Sequence, residues 1–136
     1  MEQRSTMSME EARSRLLAEM YRHMGKENAI SMVELYRIVF DCTVNDKIND
    51  TRPLRNLINL LKKRKGIQIA SSRKRTGGGY YICRTAQELE DYCRPREYQA
   101  IRILKEVATF RRITMTNLVG QIHLRIREGG HETKDL

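Results

Sequence analysis

Nine cations crowd the 24 residues from Arg52 to Arg75, and no acid lies among them. They are Arg52, Arg55, Lys62, Lys63, Arg64, Lys65, Arg73, Lys74 and Arg75. The whole chain carries 26 Lys and Arg against 17 Asp and Glu, a net charge of +9. The cations outside this stretch therefore balance the acids, and the excess positive charge sits in one place. A solvated surface mixes its signs. A single-sign block inside a folding segment points to a polyanionic partner.

Two amides, Asn56 and Asn59, lie inside the block. At about 100° per residue, Leu54, Leu57, Ile58 and Leu61 share one side of a helix over 51–65, while Arg52, Arg55, Asn56, Asn59, Lys62 and Lys63 share the other. An apolar back with a front of long donors suits entry into the DNA major groove. Arg forks onto guanine, Asn pairs with adenine, and Lys and Arg meet the phosphates that set position. A helix that was merely solvated would carry Glu among its Lys for i,i+4 support. None is present between Thr51 and Gly66.

The second chemical signature is RKRTGGGYYICR, residues 73–84. A nucleotide-binding loop would need a Lys-Ser/Thr after its glycines and a helix to follow. This stretch has neither and leads into a strand-forming run, so it reads as a hairpin tip. Arg73, Lys74 and Arg75 then reach toward a sugar-phosphate backbone or into the minor groove. Gly77 and Gly78 permit positive φ and let backbone approach backbone or a phosphate closely.

Other chemistries find no constellation. Cys42, Cys83 and Cys93 are widely spaced with no C-x-x-C, which reads as three reduced thiols in a cytoplasmic protein. His23, His123 and His131 lie far apart. Asp41, Asp46 and Asp50 lack the Gly and closing Glu of a calcium loop. We therefore expect no catalytic residues, no metal, no cofactor and no enzyme. No apolar run approaches the roughly 20 residues of a membrane span, and the first residues read as no secretory signal.

These candidates need elements to hold them. Ser8 to Glu11 and Ser31 to Glu34 are capping boxes that open helices of about 9–24 and 32–40. Residues 27–30 form a brief strand or connector. The stretch 41–50 is a polar loop, and Pro53 fits the first turn of the helix over 51–65. IQIAS (67–71) and GYYICR (79–84) make a hairpin. A third capping box at Thr85 opens a short helix through about Cys93, and Pro95 opens another that runs to about Arg112. A last helix over 114–127 carries Met115, Leu118, Val119, Ile122 and Ile126, the preferred seam for dimerisation. Ile103 and Phe110 fall outside the main stripe of the preceding helix.

The order helix, extended piece, helix, helix, strand, loop, strand over residues 9–84 resembles the winged-helix family of helix-turn-helix proteins, especially the small ones of bacteria and their phages. The 41–50 connection is longer than the tight turn of the simplest members. The resemblance implies a mainly α chain with a small β-hairpin (α+β), a winged helix-turn-helix followed by C-terminal helices. Its parts would be a DNA-binding domain over 8–84, a helical extension over 85–127 for packing or homodimerisation, and a disordered tail over 128–136. It further implies sequence-specific binding of double-stranded DNA, with 51–65 in the major groove and the wing 72–79 on the backbone, for transcriptional regulation or phage or prophage DNA handling. The competing readings are a protein-interaction adaptor, as in replication, and binding of structured RNA.

Overall fold

The structure, a computed structural model, describes residues 8–43, 45, 50–74 and 78–129. It is mainly helical with one small antiparallel sheet. Its compact contacts divide the chain into two units, the first ending at Tyr92 and the second beginning at Cys93.

In the first unit, α1 (Met9–Met20) starts at Ser8, whose Oγ accepts from the Glu11 amide at 3.2 Å. It buries Ala12, Leu16 and Met20, one residue per turn. The helix ends one turn before the expected stop at Gly25. The cause is tertiary: the amide of Gly25 donates to the Ile82 carbonyl and the amide of Ile82 to the His23 carbonyl, both at 2.9 Å. Sheet pairing thus claims the backbone that would have extended α1. After a single 3₁₀ turn (Lys26–Asn28), α2 (Met32–Phe40) begins at Ser31, whose hydroxyl accepts from the Glu34 amide at 3.2 Å. Asp41 ends α2 in the left-handed conformation at φ 53°.

Helix α3 spans Arg52–Arg64, with Pro53 in its first turn as expected. Thr51 is fully buried and makes no side-chain cap. Gly66 turns the chain at φ 64°, and the Ile67 amide reaches back to the Leu61 carbonyl at 3.4 Å. Strands β1 (Ile69–Ser72) and β2 (Gly79–Ile82) then pair antiparallel, with Ile69 opposite Ile82 and Ser72 opposite Gly79. Leu16, Met20, Leu35, Val39, Leu54, Ile58, Leu61 and Ile69 belong to a single core under the helices and hairpin.

Helix α4 runs unbroken over Ala86–Arg111 and is not the two helices expected on either side of Pro95. A proline inside a helix removes one rung, here to the carbonyl of Asp91. Asp91 is exposed, so water can take that acceptor. Arg112 is left-handed at φ 57°, and Thr114 caps α5 (Met115–Glu128) by accepting from the Asn117 amide at 3.1 Å. The helix thus reaches one residue into the expected tail, of which residues 130–136 lie outside the described ones. Between Cys93 and Gly129 only Ala108 and Leu118 are buried. Among the described residues no helix is long and apolar enough to cross a membrane.

Candidate nucleic-acid interface

The sequence of α3 sorts its residues by depth. Leu54, Leu57, Ile58 and Leu61 retain at most 2% exposure and anchor the helix to the core. On the opposite side, Arg52, Asn56, Asn59 and Lys63 are all exposed. These four advance in steps of four, three and four, so they form one straight stripe along the axis. At 1.5 Å per residue the stripe is about 16 Å long. The last turn holds Lys62, Lys63 and Arg64, where cations also complement the helix dipole.

Two of the six expected front residues lie elsewhere. Arg55 and Lys62 sit on the flank of α3, both half-buried. The Lys62 ammonium lies over the Tyr92 ring, 5.7 Å from its centroid. Such a contact contributes about 0.5–1 kcal/mol at a partly exposed site. Arg55 neighbours Tyr80: burial raises the pKa of that phenol above its usual value, and the Arg55 charge opposes the rise. The flank thus faces tyrosines of the protein itself.

The hairpin is held on both sides. β1 pairs with one edge of β2, and Ile30 pairs with the other edge by exchanging hydrogen bonds with Tyr80 at 2.9 and 2.8 Å. Ile30 is therefore the extended piece expected between the first two helices, reduced to one bridge. The glycines make this possible. A Cβ on Gly79, at φ 139°, would collide with the Ile30 carbonyl, and one on Gly78 would collide with the Lys74 carbonyl. Gly78 therefore lets the two arms of the hairpin close on each other.

Of the two tyrosines that follow, Tyr81 is buried with Ala70 and Cys83, beside Leu89 and Tyr92. Tyr80 packs on the main core, and its hydroxyl approaches the Met32 sulfur at 3.8 Å. Burial is the leading cause of a raised phenol pKa in both.

Arg73 and Lys74 leave β1 exposed. With Ser71, Ser72 and Gly78 they line a cleft of about 590 Å³ that also takes in Ser31 at the start of α2. The expectations for Arg75 and Gly77, and for Asp46 in the 41–50 loop, fall on residues outside the described ones. No group of three or more potential metal ligands occurs among the described residues. No disulfide joins Cys42, Cys83 or Cys93.

One positioning residue was legible only as a local cap. Glu88 follows Thr85, whose hydroxyl accepts from the Glu88 amide at 3.1 Å. Its carboxylate accepts from the Arg84 amide at 3.3 Å and from the Lys26 amide at 2.6 Å. The second bond joins residues 62 apart and ties the start of α4 to the 3₁₀ turn. Spacing along the chain carries no signal for such a bond.

No protein-family model matches the chain, and neither curated proteins nor solved structures give a match to it.

Proposed function

We propose that this chain is a non-enzymatic, sequence-specific double-stranded DNA-binding protein of winged-helix type. The stripe Arg52, Asn56, Asn59 and Lys63 enters the major groove, and the hairpin with Arg73 and Lys74 rests on the adjacent backbone. The role is transcriptional regulation or phage or prophage DNA handling in the cytoplasm, with the C-terminal helices joining two copies. The observation that carries the reading is the α3 stripe: base-reading amides between cations, about one helix-width across, on an element whose other side is fully anchored.

Affinity for duplex DNA measured against salt tests this. Arg52, Lys63, Arg64, Lys65, Arg73 and Lys74 are exposed cations. If roughly four to six of them meet phosphates, log affinity falls against log salt with a slope of about −4 to −5. A slope shallower than about −1, or no duplex binding at low salt, refutes the reading.

A further inference from the structure

The second unit leaves large apolar side chains open. On α4, Ile103 is 53% exposed and Phe110 is 90% exposed, while only Ala108 and Leu118 are buried in 93–129. Ala100, Ile103 and Phe110 are exposed and Val107 is half-buried, and these four advance by three, four and three, the a/d spacing of a coiled-coil seam. Continued toward the N-terminus, the same register puts Cys93 at an a position. Pro95 falls at c, on the outer side, where its ring leaves the seam clear. Ile101 and Ala108 fall at b, on another face of the helix, and Leu104 falls at e, on the flank of the seam.

The flanking charges identify the occupant. In this register Glu106 is a g residue and Arg111 an e residue. They border the groove formed with Ile103, Val107 and Phe110. In a parallel two-stranded coil, g of one chain meets e of the other five residues on. Glu106 then faces Arg111 of a second copy, and the two-fold axis repeats the pair. An antiparallel pair centred on the same seam sets Glu106 beside Gln99 and Arg111 beside Leu104, and satisfies neither charge. The face is thus complementary to itself in one orientation only.

We infer that two copies of this chain associate through a short parallel coiled coil of α4, with Ala100, Ile103, Val107 and Phe110 as its seam and reciprocal Glu106–Arg111 pairs on its flanks. This deepens the two-copy part of the proposed function. It relocates the seam from the α5 stripe that the sequence favoured to the second stripe of α4.

The test is sedimentation equilibrium of the full chain at micromolar concentrations. The wild type sediments as a dimer, and Phe110→Asp sediments as a monomer. Circular dichroism of that variant is unchanged, because the Phe110 side chain contributes nothing to the core of the monomer. Glu106→Arg sets like charges across the seam and weakens the dimer roughly tenfold. Adding Arg111→Glu to Glu106→Arg restores it. Diamide oxidation of the wild type gives a Cys93–Cys93 cross-link between copies, read by peptide mass spectrometry, that Cys93→Ser abolishes. A monomeric wild type overturns the proposal, as does a dimer insensitive to Phe110→Asp and Glu106→Arg. A dimer without the Cys93 cross-link overturns the parallel orientation, and the proposal with it. A monomer that still binds duplex with a steep salt slope fails here alone and leaves the DNA reading standing.

Discussion

Replacing Gly79 with alanine should detach the hairpin from Ile30. The new methyl group would collide with the Ile30 carbonyl, and the residue would have to hold φ 139° with a side chain. Backbone strain of that kind costs about 1–3 kcal/mol. Moving Ile30 away to relieve the collision breaks the two bonds that Ile30 exchanges with Tyr80, each worth about 1 kcal/mol net. The positive-φ strain persists when Ile30 moves, so together with the two lost bonds the loss comes to about 3 kcal/mol. Gly66→Ala is the control. It also has positive φ, at 64°, but nothing lies within 4 Å of its Cβ, so only the left-handed backbone term of about 1 kcal/mol applies. Urea unfolding followed by circular dichroism reads both. With an m value of about 1.5 kcal/mol/M, the Gly79→Ala midpoint falls by about 2 M and the Gly66→Ala midpoint by less than about 1 M. Equal shifts for the two variants would refute the role given to the Ile30 contact.

Other outcomes follow from the same geometry. In a selection from random duplexes, Asn59→Ala relaxes preference at one base pair at a cost of about 1–3 kcal/mol, whereas Lys74→Ala weakens every duplex alike and lowers the salt slope by about 1. Burial raises the phenol pKa of Tyr80 and Tyr81 above 10.0 in the folded chain, so the unfolded chain loses its protons first. Stability is then full below about pH 10 and declines as pH rises beyond it, and Tyr81→Phe makes the decline shallower in pH-dependent urea titrations. Arg112 holds φ 57° between α4 and α5, so Arg112→Gly raises the unfolding free energy by about 1 kcal/mol in urea unfolding.

What the sequence revealed and what it concealed divide along physical lines. The caps at Ser8, Ser31 and Thr85 were legible because a capping hydroxyl and its amide lie three residues apart, whereas the cap at Thr114 was not read. The depth ordering of α3 was legible because helical period alone sets it. The early end of α1 was hidden, since His23 and Gly25 are claimed by Ile82, far along the chain. The division at Pro95 was misread because a local rule was applied where an exposed carbonyl can be left to water. The flank position of Arg55 and Lys62 was also hidden. Both fall within the polar arc of a helical wheel, and only the folded chain sets Tyr80 and Tyr92 beside them. The glycines of the hairpin tip were read as letting backbone approach backbone or a phosphate, with Gly77 and Gly78 assigned to DNA. For Gly78 and Gly79 the nearest need is internal, the passage of backbone against Lys74 and Ile30.

The central claim is that the outward stripe of α3 meets duplex DNA. Titration of isotope-labelled protein with a short duplex, followed by amide chemical shifts, tests it at residue level. Salt-sensitive shifts are expected at Arg52, Asn56, Asn59, Lys63, Arg73 and Lys74, with Ala108 and Leu118 unmoved. Shifts confined to α4 and α5, or none at the α3 stripe under saturating duplex, would contradict it.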